Sequence, residues 1–517
     1  MMASSAAEFI ILNPLLIPGF LFTLYFISNA TYQLFFSPIR GIPGPWYAAI
    51  SDLWLITETM RFRSCKSVHW LFEAYGPIVR VGPNSVVFHD YKTAKDVYKF
   101  DKGEKYKALR MIVGGKEHDH AMTTLGRAEH AVKRKAFAPH YTAANLVLFQ
   151  PEFHQCILEL TSILRNIEAR VSVDCLDLFH QLLYDITSRM SFNTPSTALA
   201  AWSRAFHDQT SAKDPVSEAV GHFPKFALLR GNTPRWVWNI LRQYPNQRWR
   251  QFCDCSRIME IVVNEEISAT RSATATKFQS DSTRDELNDS YEVVQEKIPL
   301  LERLLRSDVL SDSDVTAEMT SHLIAALDTS ATMLSFLCWE LSRRPDVVQN
   351  LRAELANVAS DAGTIPPISE LNKLPYLNAF VREGLRIYGA GPGTLERVVP
   401  ASSTPFDILG HVLPPGTIVA TQAWTSHRDP SIFPASYAFE PGRWLDGDIA
   451  AMTAQMMPFG LGTRICGGMH LAQMTLRMVI VEIVRNFEVS AAPETTEASM
   501  EICHSFVRAF FCCWLRG

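Results

Sequence analysis

Hydrophobic positions change their spacing along the chain, and each change predicts a different kind of element. From Phe9 to Phe36 apolar residues run almost unbroken, and no charged residue lies between Glu8 and Arg40. A helix needs roughly 20 residues to cross a bilayer, so this stretch is long enough. Pro14, Pro18 and Gly19 interrupt it, residues that membrane helices tolerate better than soluble ones. A cleaved signal peptide, with Ser28 and Ala30 before the cut, would need a basic residue ahead of the apolar stretch, and none is present. The pattern therefore predicts a retained anchor, residues 1–37. Arg40, the first positive charge, puts the following chain in the cytosol.

Pro38-Ile39-Arg40-Gly41-Ile42-Pro43-Gly44-Pro45 cannot continue a helix and predicts a stiff extended elbow, residues 38–46. Tyr75 to Pro83 and Asn84 to His89 alternate and carry turn residues, which predicts a two-strand hairpin. Residues 90 to 345 show mainly helical spacing, with Val315 to Arg344 a long stretch. Ser268 to Ser290, dense in Ser, Thr and Asp, predicts a surface loop. From about residue 395 the pattern is mixed, with short strands such as Thr417 to Thr421, before Leu471 to Phe487 returns to helical spacing. The fold class expected is mainly α with small β-sheets (α+β), preceded by one transmembrane helix.

Composition changes this picture little. A length of 517 residues alone would allow about three domains. A hydrophobic content of 47% with 20% charged residues fits a large core, and a net charge of −4 gives no reason to expect nucleic acid. Ten cysteines include no CxxC pair with metal-ligand spacing, while Cys253 and Cys255, and Cys512 and Cys513, stand too close for an ordinary disulfide. Reduced, mostly buried thiols follow, as on the cytosolic side of a membrane. No GxGxxG segment follows a strand, so a redox reaction here would draw its electrons from another chain.

The candidate chemistry is concentrated near the C-terminus. Phe459-Gly460-Leu461-Gly462-Thr463-Arg464-Ile465-Cys466-Gly467-Gly468 holds one cysteine among glycines, just before a helix. Glycines let the backbone approach something flat and bulky. A helix N-terminus favours a thiolate over a thiol, and such a thiolate suits a haem iron as axial ligand. A buried structural cysteine is the plainer alternative. Upstream, Ala325, Thr329 and Thr332 share one helix face with Asp328 beside it. A hydroxyl next to a carboxylate can hold water and pass protons, unless the threonine merely bonds its own backbone. Glu383 and Arg386 lie three residues apart, close enough to pair.

The run from Phe459 to Gly468 resembles, position for position, the haem-binding signature of the cytochromes P-450. Leu374 to Phe380 with Glu383-Gly384-Leu385-Arg386 resembles the family's K helix, and Phe439-Glu440-Pro441-Gly442-Arg443-Trp444 its second arginine motif. Ala325-Ala326-Leu327-Asp328-Thr329-Ser330 is similar to its oxygen-activation motif, with Ala326 where glycine is usual. Thr475 stands where the family often has an acid. The matching motifs spread from about residue 40 to the end, which implies one catalytic domain, residues 47–517.

The resemblance implies haem b with Cys466 as its iron ligand, and contacts from Phe459 and Gly468 in the same loop. It implies propionate contacts from His130, Arg134, Arg464 and Arg397, and a buried support network of Glu383, Arg386 and Arg443. It makes Asp328 and Thr329 the catalytic pair. The activity implied is insertion of one oxygen atom of O2 into a lipophilic small molecule. Electrons would come from an NADPH–cytochrome P-450 reductase at the endoplasmic reticulum membrane. The elbow and the Gly76 to Asn84 segment look most like fungal microsomal members of secondary metabolism, so a terpenoid is the first substrate class and a polyketide or alkaloid the second. Substrate-facing surface would come from parts of 103–123, 200–238, 323–332, 390–396 and 503–508. A haem-thiolate isomerase or dehydratase, needing neither O2 nor reductase, is the alternative, and a haem-bearing carrier a third. The Asp328–Thr329 pair favours oxygenation, and no motif is degraded as a carrier would allow.

Overall fold

The computed structural model describes residues 16–167, 171–209, 214–281, 297–358, 364–402, 404–500 and 512–516. Among the described residues helices dominate, with four small sheets, so the α+β expectation holds. The first part of the expected anchor and the 503–508 segment lie outside the described residues. The chain divides into two compact units, Met1–Asp101 with Thr394–Gln422, and Lys102–Gly393 with Ala423–Gly517.

In the smaller unit, the expected hairpin pairs Ile78–Gly82 with Ser85–Phe88 antiparallel, Ile78 opposite Phe88. Ile418–Ala420 joins parallel to the second strand, and Arg397–Val398 closes the sheet antiparallel. Every residue of the hairpin strands is buried, because Leu55, Val68, Leu71 and Phe72 pack against Val79, Val81 and Val87. The buried Arg80 guanidinium donates to the Gln33 carbonyl (2.9 Å), the Gln33 side chain (2.6 Å) and the Pro83 carbonyl (2.7 Å). The proline-rich elbow is docked here, with Ile39 and Ile42 buried and the Arg80 amide bonded to the Pro43 carbonyl at 2.8 Å. Gly44 is required: an added Cβ would stand 2.5 Å from the Arg80 carbonyl oxygen. Ahead of the elbow, the helix Leu16–Thr31 leads into a π-helical turn, Tyr32–Phe36. Its apolar side chains point outward, Phe20 at 68% and Phe22 and Tyr25 at 70% exposure.

The larger unit is organised around the helix Asp312–Arg343. Ser311 and Asp314 form a reciprocal capping box at its start, and Pro345 follows its end. Among the described residues it is the one helix long and apolar enough to cross a membrane, but it is mostly buried and is a core helix. It packs against Cys175–Phe192 and Met469–Asn486. The loop expected over 268–290 is corrected in part: the helix Cys255–Asp281 runs through its first half. The Ser268 and Ser272 hydroxyls bond to carbonyls four residues back, which accommodates hydroxyl residues within a solvated helix. Residues 282–290 lie outside the described residues.

Candidate active site around Cys466

The cysteine loop is closed by its own backbone. The Gly460 amide donates to the Met457 carbonyl at 3.0 Å and the Cys466 amide to the Phe459 carbonyl at 2.9 Å. Gly460 and Gly462 adopt φ of 75° and 68°, which a side chain would strain. Helix Met469–Asn486 begins just beyond Gly468, as the spacing predicts. Two arginines hold the loop against the helix Arg127–Phe137. Arg134 donates to the Ile465 carbonyl at 2.6 Å, and Arg464 to the carbonyls of Thr124 (2.8 Å), Leu125 (2.6 Å) and Gly126 (2.9 Å). A Cβ on Gly467 would meet the Phe137 ring at 3.0 Å, so the loop lies flat on that helix's end.

The Cys466 side chain has accessible surface, whereas Cys65, Cys156, Cys175, Cys255 and Cys338 are buried. The axial thiolate that the loop motif implies needs the metal as well as the helix end. Although the sulfur can be reached from one side, the protein atoms packed around it push the thiol up, only partly offset by the Gly468 amide and the Arg134 charge. A bound metal removes that proton outright, so ligation makes this sulfur a thiolate.

Behind the loop, Glu383 and Arg386 lie on the helix Pro375–Tyr388, both essentially without solvent contact. They pair bidentately at 2.9 and 2.8 Å. Glu383 also accepts from Arg443 Nε (3.0 Å), the Glu440 amide (2.9 Å) and Trp444 Nε1 (2.8 Å). Burial raises the Glu383 pKa, but the Arg386 bond and charge, the Glu440 amide and Arg443 outweigh it and hold the carboxyl below its ordinary value. Arg386 spends its remaining donors on the carbonyls of His427, Ser436 and Ala438. This is the support network that the motifs imply, and Trp444 and the Glu440 amide are members that charge pairing alone could not reveal.

On the long helix, Ala325 is exposed and Ala326, Thr329 and Thr332 are partly so, while their neighbours are buried. An uncharged, small-residue stripe therefore opens inside an otherwise packed element. The Thr329 hydroxyl donates to the Ala325 carbonyl at 2.7 Å. Asp328 sits on the buried flank, its Oδ1 3.5 Å from His180 Nε2. Nothing in the sequence flags His180, because a separation of some 150 residues carries no local signal. One turn before the stripe, His322 Nδ1 lies 3.0 Å from the Tyr141 hydroxyl. Glu318, which accepts from the Ala121 amide at 2.7 Å, lies 3.8 Å from His322 Nε2. His130 is buried one turn before Arg134. Phe459 is half-buried against the core. Arg397 belongs to the smaller unit, over the Tyr98 ring at 4.6 Å, its Nε buried and without a hydrogen-bond partner among the described residues.

These residues suit a haem. The accessible thiol is a soft donor, the glycine loop leaves room beside it, and the stripe at Ala325 is small and uncharged. Among the described residues no cluster of His, Cys, Asp and Glu could hold a bare metal ion instead. The comparisons agree. A cytochrome P450 family model matches residues 42–509. The chain is 25% identical over 496 residues to cytochrome P450 monooxygenase stcB of Emericella nidulans, covering 93% of this chain and 88% of that protein. It is 26% identical over 500 residues to cytochrome P450 monooxygenase cypX of Dothistroma septosporum, covering 94% and 92%. It is 26% identical over 485 residues to cytochrome P450 monooxygenase aflV of Aspergillus parasiticus, covering 92% and 89%. With motif, loop geometry and whole-length similarity in agreement, this chain belongs to the cytochrome P450 family, as an oxidoreductase of the fungal monooxygenase type with haem b on a cysteine thiolate.

Proposed function

We propose that this chain inserts one oxygen atom of O2 into a lipophilic secondary metabolite, with a terpenoid as the first class to test and a polyketide or alkaloid as the second. The observation that carries the reading is the open, uncharged stripe at Ala325, Ala326 and Thr329 on the same unit as the accessible Cys466 thiol. When bound, the haem supplies the capacity to activate dioxygen, and a thiolate ligand favours O–O cleavage. Cys466 would hold the iron, Arg134 and Arg464 keep its loop against the helix end, and the Glu383 network would keep that loop from relaxing. The Thr329 oxygen, already donating to Ala325, retains lone pairs to accept from a water on the stripe. Asp328, beside His180, is the proton reservoir one position away. The small side chains at 325 and 326 leave an apolar contact surface for a lipophilic molecule.

Electrons come from a separate NADPH-dependent flavoprotein reductase, and the exposed apolar helix Leu16–Thr31 holds the chain in the endoplasmic reticulum membrane with the catalytic part in the cytosol. Four measurements test this reading. Reduced protein with carbon monoxide should give the red-shifted Soret band of thiolate ligation, lost in Cys466→Ala. A strain expressing the chain should accumulate an oxygenated metabolite absent from one lacking it, and turnover should stop without O2 or reductase. Turnover that continues without either would favour the isomerase or dehydratase instead. Protease on sealed microsomes should spare only the segment near residues 1–40, and full protection would reverse the orientation.

A further inference from the structure

We infer that His427 is a positioning residue for the haem ligand, a neutral imidazole that ties the Glu383–Arg386 helix to the segment leading into the Cys466 loop. His427 is 2% exposed, so every polar atom it carries must be satisfied by protein. Its Nε2 accepts the Met457 amide proton at 2.9 Å. An amide N–H can only donate, so Nε2 holds the lone pair and the ring proton sits on Nδ1. That Nδ1 faces the Arg386 carbonyl at 2.9 Å and donates to it. The link is reciprocal, because the Arg386 guanidinium donates to the His427 carbonyl at 2.7 Å.

The chain of bonds continues into the loop. Met457 accepts from Gly460 at 3.0 Å, and Phe459 accepts from Cys466 at 2.9 Å. A single imidazole thus connects the C-terminal turn of one helix, at Arg386, with the first rigid point ahead of the ligand loop, at Met457. Among the described residues, no other side chain is bonded to the Met457 amide. Only the neutral Nδ1–H tautomer makes both bonds, since an imidazolium would set a proton against the Met457 N–H. Burial, with the Arg428 and Arg386 charges, keeps the ring neutral by pushing its pKa down to about 3. The role is distinct from that of the Glu383–Arg386–Arg443 network, which satisfies itself without His427's ring.

Two variants and the wild type test the inference. In His427→Phe, which fills the space and makes neither bond, hydrogen exchange at the Met457 amide should accelerate about tenfold or more, the effect of losing one buried hydrogen bond. The Glu440 amide, bonded to Glu383, should stay protected. At equal haem content, the reduced carbon monoxide complex should show a larger fraction without the thiolate-type Soret band. His427→Gln, which keeps one donor and one acceptor, should restore most of both signals. Unchanged exchange at Met457, or an unchanged thiolate fraction in His427→Phe, overturns the inference. So does equal loss of protection at Glu440 and Met457 with no rescue by Gln, the mark of general packing loss. If His427→Phe does not fold, 15N-labelled histidine in the wild-type reduced carbon monoxide complex still decides. The ring must be neutral and protonated at Nδ1 from pH 8 to pH 5, and an Nε2–H tautomer or a titration in that range refutes the assignment.

Discussion

Thr329 stands on the accessible stripe with its hydroxyl donated to its own backbone, and Asp328, next in sequence, is buried beside His180. The two residues therefore act in different settings, the alcohol where a water can reach it and the acid behind it. Thr329→Ala should keep the fold, haem content and substrate-binding spectrum. The lost bond is local to one helix turn, and alanine is the better helix former, so stability should stay within about 1 kcal/mol. Product formed per NADPH should fall and hydrogen peroxide should rise. Loss of a group that positions the proton-carrying water slows the step it serves by about 10²–10⁴-fold, less any part a mobile water restores. Stopped-flow turnover with peroxide quantification reads this directly, and unchanged coupling would take the proton path off Thr329. Ala326 adds a methyl group where the family usually has none. Ala326→Gly should widen the stripe and raise affinity for a bulkier substrate analogue without altering haem content, as a titration of the substrate-induced spectral change would report.

At the scale of elements, the Pro375–Tyr388 helix is bolted to the segment 423–444 by charge rather than by apolar packing alone. Glu383 accepts five hydrogen bonds within the protein, two of them from Arg386. Removing one partner leaves the other charge buried and unpaired, which costs about 3–5 kcal/mol. Glu383→Ala and Arg386→Ala are therefore expected to lose haem incorporation, not merely turnover. Haem-to-protein ratio and thermal unfolding test this, and full occupancy at normal stability would contradict the buried network. Because the folded Glu383 carboxyl lies below its unfolded value, its contribution is present above about pH 4.3. It is lost as pH falls through the depressed folded value.

For the whole molecule, buried titratable groups set a pH window. Burial pushes His120 and His140 down to about 4 and His322 and His427 down to about 3. The unfolded chain protonates these rings near pH 6.5, so stability is lost as pH falls below that value. Glu318 works in the opposite sense. Burial, partly countered by Lys133, raises its carboxyl to about 7, so it destabilises the fold as pH climbs from about 4.5 to 7. His154 is lowered too, and Glu159 and Glu340 are raised, but the four large histidine shifts dominate, and the urea midpoint should peak near neutrality and fall towards pH 4.5. Glu318→Gln keeps the acceptor for the Ala121 amide and should gain up to about 3 kcal/mol at pH 8 and nothing at pH 4. A gain independent of pH would show that the Glu318 carboxyl titrates alike in the folded and unfolded chain.

The sequence by itself determined the elements whose cause is local. Apolar spacing predicts the long helix and the helix after Cys466, turn residues predict the hairpin at 75–89, and glycines with one cysteine mark the ligand loop. The acid–base pair at 383 and 386 is legible too, because helix geometry fixes its spacing. Local composition misleads where tertiary context outweighs it. Hydroxyl-rich residues 268–281 form a helix because that helix is held by the packing of its buried positions, such as Cys255, Met259 and Val263. The proline-rich elbow is docked rather than free because a buried arginine 35 or more residues further on claims its neighbours' carbonyls. Only the tertiary structure set His180 beside Asp328, Trp444 on Glu383 and His427 between Arg386 and Met457. Each is a hydrogen bond or ion pair between residues dozens to hundreds of positions apart, formed when burial leaves a polar atom no water to turn to.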